Sequence, residues 1–266
     1  MKVALRIAYD GTQFHGFQRQ PSLRTVEGEL LRVLEEVGLE PVDFKGASRT
    51  DKGVSAFGNV VAFTVPDDAA HLVKPRVLNA RLEDVWVLGV AKVPKDFHPR
   101  FWAKSKVYRY YLVGWGLNVG AMRECAALFV GEHDFSAFAR LDGRDPVRRI
   151  LRASVEERGP IVVVEIEGES FLWEMVRRIV TAVRLCGEGK LELGDVEAML
   201  RGEFEESRKL PPAPPEGLVL WAVKYEGVEF EVDAYTVELV RKELFERFSA
   251  AAVRAAIFED FLRQLY

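Results

Sequence analysis

The segment Ser48-Arg49-Thr50-Asp51-Lys52-Gly53-Val54-Ser55-Ala56 sets one carboxylate between two cations among small residues. Opposite charge nearby favours the ionised form of Asp51. An ionised carboxylate cannot donate a proton, but it can act as a nucleophile, a base or a cation ligand. Gly53 lets the chain turn and lets a ligand come close. The same residues, taken alone, also describe an ordinary loop aspartate paired with a neighbouring arginine. A second segment, Phe14-His15-Gly16-Phe17-Gln18-Arg19-Gln20-Pro21, interleaves aromatic rings with Arg and Gln. Phe14, Gln18, Arg19 and Gln20 suit stacking on bases and contacts to phosphates or base edges, and equally a partly packed surface loop.

A third segment, Lys104 to Tyr111, reads as a strand. Lys106, Tyr108 and Tyr110 then share one face, and Val107, Arg109 and Tyr111 the other. A lysine beside two tyrosines can pair a phosphate contact with a stacking ring. An amphipathic strand whose rings cap a core has the same pattern. In a fourth, Trp173 to Cys186, apolar positions 175, 176, 179, 180 and 183 keep the helical period. Arg177, Thr181 and Arg184 lie in a stripe beside that face. An arginine at the edge of a buried face anchors a carboxylate well, because its fork matches both oxygens. An intrahelical pair of Glu174 with Arg177 or Arg178 competes with that reading. His133 and Asp134 are adjacent rather than a turn apart, which favours a capping and packing segment. The tract Arg144, Arg148, Arg149 and Arg152 offers phosphate contacts or a solvated face.

These segments need elements to hold them. Val3 to Tyr9 alternates as a strand, and Asp10-Gly11 is turn chemistry. Thr25 caps a helix that carries Val26, Leu30, Leu31, Leu34 and Val37. Residues 44–53 read as a loop, 54–65 as a strand, 72–82 as a helix and 85–90 as a strand. That makes one α+β module ending near residue 100. The second half has a strand at 106–113, a helix at 121–139, a hairpin at 148–156 and 161–168, helices at 173–186 and 194–201, and a strand at 218–225. A rigid Pro-rich connector occupies 211–215, and residues 235–265 read as helix in two pieces. The reading is an α+β fold in two modules, 1–100 and 101–266, with a C-terminal extension from about 226.

The 266 residues are 48% hydrophobic and 29% charged, which excludes global disorder. No stretch approaches the ~20 apolar residues of a membrane span, and the N-terminus has no signal-peptide pattern. Two cysteines, Cys125 and Cys186, exclude a disulfide framework and favour a reducing, cytoplasmic setting. With four scattered histidines they give no metal-ligand spacing. The net charge of -4 hides an asymmetry: residues 1–152 hold 23 basic and 18 acidic side chains, and residues 153–266 hold 14 and 23. A local basic surface attracts phosphates even on an acidic chain.

Taken in order, these segments resemble the TruA family of tRNA pseudouridine synthases. The resemblance rests on Tyr9-Asp10-Gly11, on Phe14…Gly16…Gln18…Gln20-Pro21 and on Arg49-Thr50-Asp51-Lys52-Gly53-Val54. It continues through Asp96-Phe97-His98-Pro99-Arg100-Phe101, Lys106…Tyr108-Arg109-Tyr110, Gly131…His133-Asp134-Phe135…Phe138 and Phe171-Leu172…Met175-Val176-Arg177…Ile179-Val180. It spans about residues 3 to 225 and leaves the extension unmatched. The resemblance implies two α/β modules sharing a central, mostly antiparallel sheet flanked by helices, with a basic catalytic cleft between them. It implies isomerisation of uridine to pseudouridine at positions 38–40 of the tRNA anticodon stem-loop, with no cofactor or metal, by a cytoplasmic homodimer. Alternatives are action at other tRNA positions or on other RNA, a non-catalytic RNA-binding module of the same fold, and a carboxylate-dependent nucleoside hydrolase. Residue by residue, Asp51 matches the nucleophile, Tyr108 the ring that stacks on the target base, and Arg177 the arginine that pairs with the aspartate. Phe14, Gln18, Arg19, Gln20, Arg49, Lys52, Lys106, Arg109 and Arg178 are the substrate-binding candidates. Ser55 departs from the pattern, since many members have His there. The extension is left with two roles, packing on the catalytic half or joining a dimer interface.

Overall fold

The computed structural model describes residues 1–205 and 209–265. The N-terminal alternation becomes β1 (Lys2–Tyr9), which runs antiparallel between β3 (Ser55–Thr64) and β4 (Val85–Val93) and is buried on both faces, Val3, Leu5, Ile7 and Tyr9 in the main core and Ala4 and Ala8 in smaller clusters on the other side. Between β1 and β3 lie α1 (Val26–Glu36) and β2 (Val42–Gly46). The Thr25 hydroxyl accepts from the Gly28 amide and starts α1, whose Val26, Leu30, Val33 and Leu34 are buried. A short α2 (Pro75–Asn79) precedes β4, with proline at the first helical position where no amide is needed.

The second half contributes β5 (Ser105–Val113), β6 (Gly131–Asp134), β7 (Val147–Arg158), β8 (Ile161–Gly168) and β9 (Leu218–Lys224). Its helices are α3 (Val119–Leu128), α4 (Met175–Gly187) and α5 (Leu193–Leu200), followed by the terminal α6 (Ala234–Gln264). One sheet spans both halves in the order β4-β1-β3-β9-β5-β8-β7-β6, and β2 pairs with the remaining edge of β3. Every pairing is antiparallel except β3 with β9, whose parallel register is Ser55 to Val219 and Ala56 to Leu220. The α+β class with a shared, mostly antiparallel sheet is therefore the observed fold.

The shortness of that parallel join matters for the site. β3 pairs with β9 only at its N-terminal end and with β2 further along, so the sheet opens beside residues 47–54. One hydrophobic cluster crosses the join and includes Leu5, Phe63, Tyr110, Ile166 and Ile179. Burying each such side chain contributes roughly 1.5–3 kcal/mol, so the halves share a core rather than a hinge.

Three local readings are corrected. Residues 44–53 begin as strand rather than loop, because β2 finds the free edge of β3. The helix expected over 121–139 ends at Leu128. Gly131 (φ +117°) turns the chain into β6, and Ser136–Phe138 forms a 3-10 turn. Its apolar residues Phe129, Phe135 and Phe138 pack together from a non-helical backbone. The two pieces expected after 235 are one helix of 31 residues, since the alanine-rich middle at 250–256 propagates helix and nothing there breaks it.

Candidate active site

Asp51 lies in a tightly held loop at the opening of the sheet. The Thr50 carbonyl accepts from the Phe17 amide at 3.0 Å, and the Asp51 carbonyl accepts from the Val54 amide at 3.2 Å. The buried Thr50 hydroxyl bonds the Tyr9 phenol at 2.8 Å. Asn59, fully buried in an otherwise apolar stretch of β3, donates to Tyr9 and to the Ser48 carbonyl. Gly53 has φ +83°, which a side chain would strain. Gly11 packs so closely beneath that a Cβ there would lie 2.1 Å from the Val54 carbonyl oxygen. With its backbone groups satisfied, the loop points the Asp51 side chain at the opening.

The partner arrives from the other half. The Arg177 guanidinium, on the first turn of α4, lies 3.4 Å from the Asp51 carboxylate. Its direction is fixed from behind, because Nε donates to the Ala213 carbonyl at 2.5 Å and the Ala213 amide bonds back to the Arg177 carbonyl. The Pro-rich segment is held further by Thr181 on the Pro211 carbonyl and Tyr110 on the Pro214 carbonyl. Arg177 is therefore clamped by a connector that supplies carbonyls, with proline removing competing amides.

Burial pushes the Asp51 carboxyl above the usual aspartate range, and the Arg177 charge offsets only part of that effect, while Glu174 adds to it. This corrects the expectation from local sequence. Arg49 and Lys52 flank Asp51 in the chain, but the cation that acts on it is 126 residues away. The carboxylate is half-buried, 39% exposed, and so open to a ligand.

Tyr108 stands across the opening. Its ring is buried and meets Phe171 edge-on, with centroids 5.0 Å apart. Its hydroxyl bonds Ser48 at 3.2 Å, and Ser48 in turn accepts from the Lys106 ammonium at 2.9 Å. Burial pushes the phenol upward, the Ser48 bond lowers it, and the Asp51 charge raises it. Lys106 also donates to the Ala47 carbonyl at 2.8 Å and has no carboxylate partner among the described residues. Burial and the nearby Arg100 lower its ammonium to about 8.

These groups line a cavity of about 900 Å³, at the upper end of the roughly 300–1,000 Å³ range of ligand clefts. Asp51, Tyr108, Arg177, Gln18, Arg49 and Lys106 all line it. Arg49, Arg100 and Lys106 lack ion-pair partners among the described residues, so the cleft carries uncompensated positive charge. The rim holds two exposed rings, Phe101 and Trp173, the second under the Arg140 guanidinium at 4.2 Å. Such rings are suited to stacking on bases.

Six candidates lie outside the cleft. Phe14 is a core residue, 1% exposed, with Arg24 over its ring, so it cannot meet a base. Arg109 projects from the opposite face of β5, bonded to Glu165 and stacked on Trp221 at 3.8 Å. Arg178 is occupied by Glu174 and the Leu210 carbonyl. Lys52, Arg19 and Gln20 are exposed nearby but do not line the cavity, and Gln20 holds the His15 carbonyl. Sequence reading missed Ser48, Phe171, Trp173 and the Arg100-Phe101 pair as cleft residues. For Ser48 no signal existed, because its role is a bond to a distant strand. Arg100, Phe101 and Phe171 stand inside matched motifs, and Trp173 stands between matched positions, but none of them was given a binding role.

No group of three or more His, Cys, Asp or Glu among the described residues is arranged to hold a metal ion. No helix among them is long and apolar enough to cross a membrane.

A family model described as tRNA pseudouridine synthase matches residues 125–226. A protein of Thermococcus kodakarensis named tRNA pseudouridine synthase A is 61% identical, over 98% of this chain and 99% of its own length. One of the same name from Thermococcus sibiricus is 58% identical over the whole of both chains. A third, from Methanocella arvoryzae, is 43% identical over 98% of each. The likeness therefore includes the extension that the motifs left unmatched.

Proposed function

The chain belongs to the tRNA pseudouridine synthase A family and is a tRNA-modifying isomerase; we propose that its cleft acts at uridines 38–40 of the anticodon stem-loop. The observation that carries this reading is the Asp51–Arg177 pair, 3.4 Å across the join of the two halves, in a cleft that also holds Tyr108. The finer parts of the proposal include the cytoplasm as its location and two copies as its working unit.

The target uridine must leave its stack to reach Asp51, at a cost of a few kcal/mol that is least near a loop or stem end. Arg49, Arg100 and Lys106 offset that cost through phosphates, without reading sequence. Asp51 then attacks as the carboxylate, at C1′ of the ribose or on the base. The bond from C1′ to N1 breaks, and the uracil turns while enclosed. C5 bonds to C1′, the bond formed with Asp51 breaks and returns the free carboxylate, the C5 proton leaves, and N1 takes up a proton, so the product is an isomer of the substrate. Enclosure keeps water from the intermediate, which it would otherwise hydrolyse. The Tyr108 ring stacks on the uracil and its hydroxyl takes part in removing the C5 proton. Arg177 orients the carboxylate and keeps its affinity for protons from rising further.

Incubation with tRNA transcripts, followed by site-resolved mapping, tests the proposal. Pseudouridine at 38–40 with no free uracil is the expected result. Modification confined to other positions overturns the assignment of the target, and released uracil overturns the isomerisation.

A further inference from the structure

One edge of β3 carries a gap. Ala56 is the last residue on it paired to β9, and Val61 is the first paired to β2, so the residues between are paired to neither strand. The Ala47 amide crosses to the Val60 carbonyl at 2.8 Å, and Asn59 stands beside it. By strand parity Asn59 shares the face of Val61 and Phe63, and like them it is fully buried in the core. A carboxamide persists in such a place only when its polar atoms are paired, and here they are. Oδ1 accepts from the Val60 amide at 2.9 Å. Nδ2 donates to the Ser48 carbonyl at 3.1 Å and to the Tyr9 phenol oxygen at 3.2 Å.

The two donations run to opposite sides of the site. Ser48, whose carbonyl Asn59 holds, bonds the Tyr108 hydroxyl through its own side chain. Tyr9 bonds the hydroxyl of Thr50, the residue before Asp51, at 2.8 Å. A phenol has one proton to give. Having accepted from Asn59, Tyr9 gives that proton to Thr50, its one other partner among the described residues. Burial pushes the Tyr9 phenol above the ordinary tyrosine range, so the proton stays on it and the direction of the chain is fixed. Neither Asn59 nor Tyr9 lines the cavity, and neither meets a nucleotide there.

We propose that Asn59 is a positioning residue for the reaction: one buried carboxamide holds the Asp51 loop, through Tyr9 and Thr50, and the Tyr108 hydroxyl, through Ser48, at a set spacing. The proposal rests on the roles given above to Asp51 and Tyr108. Those two groups come from different halves of the chain, so no single strand fixes the distance between them. Asn59 sits where β3 leaves one half and turns to its own β2, which is the place from which both can be held. Reacting groups displaced by about 1 Å lose on the order of 10²-fold in rate, so a tie of this kind acts on turnover before it acts on binding.

Tyr9→Phe and Thr50→Val each delete one hydroxyl and keep the bulk of the side chain. Each should lower kcat by ~10- to 100-fold, with tRNA affinity and the near-ultraviolet spectrum unchanged. Both cut the same link, so the double variant should be no slower than the slower single. Native kcat in the singles, losses that multiply in the double, or an equal loss of affinity overturns the proposal. Asn59→Leu cuts both arms and should be slower than either single; native turnover overturns the proposal, and if this variant does not fold, the other three decide. Hydrogen exchange reads the tie without turnover. In Tyr9→Phe the Phe17 and Val54 amides, which bond the Thr50 and Asp51 carbonyls, should exchange faster while the ladder of β1 with β4 keeps its native rates. Unchanged exchange, or faster exchange throughout, overturns the tie. Asp51→Asn separates the two readings: full turnover there refutes the nucleophile, while the exchange rates still decide whether Asn59 holds the loop.

Discussion

Asp51→Asn removes the charge of the proposed nucleophile and keeps its shape. Removing the nucleophile of a covalent catalyst costs on the order of 10⁶ in kcat, or about 8 kcal/mol of barrier at 1.36 kcal/mol per tenfold. The stability change should be far smaller. The carboxylate is 39% exposed and its contact with Arg177 is long, at 3.4 Å. A pair of this kind contributes ~0–1 kcal/mol, and burial of Asp51 opposes even that. Arg177 keeps its bond to the Ala213 carbonyl in the variant, so it is not left without a partner. The melting temperature should therefore move by less than about 4 °C. The sign with pH also follows. Because the folded pKa is raised, the folded state binds more protons, and the native protein gains stability as pH falls through that value. Asp51→Asn lacks this gain, so the two melting curves should converge or cross in mild acid. Release of tritium from C5 of uridine-labelled tRNA reads the chemistry, and filter binding reads affinity. Retained tritium release would refute the nucleophile. A drop in melting temperature beyond ~10 °C would mean that Asp51 is a structural residue.

Arg177→Met should lower kcat far more than tRNA affinity, and should move the acid limb of kcat/KM to higher pH, because the Arg177 charge lowers the Asp51 pKa. Equal losses in kcat and affinity would make Arg177 a phosphate contact instead. Tyr108→Phe keeps the ring and deletes a hydroxyl bonded to Ser48, which retains Lys106 as a partner. It should cost ~1 kcal/mol of stability and slow tritium release while tRNA affinity holds; unchanged release would remove the hydroxyl from the reaction. Native tRNA affinity should weaken as pH rises through about 8, where Lys106 loses its charge, and Lys106→Met should abolish that dependence. In the free protein the folded pKa lies below the unfolded ~10.4, so the native chain should gain stability relative to Lys106→Met between those values. Parallel stability curves would show that the ammonium is not buried in solution.

Local sequence carried the residue types of this site better than their directions. The loop around Asp51 was legible, since a carboxylate among small residues next to a strand has few structural duties. Strand parity correctly put Lys106 and Tyr108 on one face and Arg109 on the other. It did not show that Tyr110, two residues further along, would serve the connector rather than the cleft. Phe14, Arg109 and Arg178 have the composition of a nucleic-acid surface, but a ring in the core and two arginines on internal carboxylates satisfy the same composition. No spacing rule joins Asp51 to Arg177, because the contact depends on how β3 and β9 meet. The resemblance supplied that pair. Asn59 was the missed local clue, a lone amide in a run of apolar strand residues whose polar atoms must be paired.

The charge balance of the chain looks wrong for an enzyme that handles a polyanion, and the structure shows why net charge is a poor guide. Charges further apart than the Debye length of about 10 Å in 0.1 M salt scarcely act on each other. The acidic excess lies after residue 152, and much of it is already paired on its own helices, as in Glu188 with Arg184, Glu243 with Arg247 and Glu259 with Arg263. The cleft reverses this arrangement. Arg49, Arg100 and Lys106 face it without carboxylates, and the carboxylate placed most directly for chemistry, Asp51, is balanced by an arginine that a proline-rich strap holds in place. A phosphate entering the cleft therefore meets local positive charge, while distant carboxylates are screened. The same placement limits what burial costs Asp51: the Arg177 charge offsets part of it without neutralising the opening, so the carboxylate stays available to a nucleotide drawn in by its own backbone.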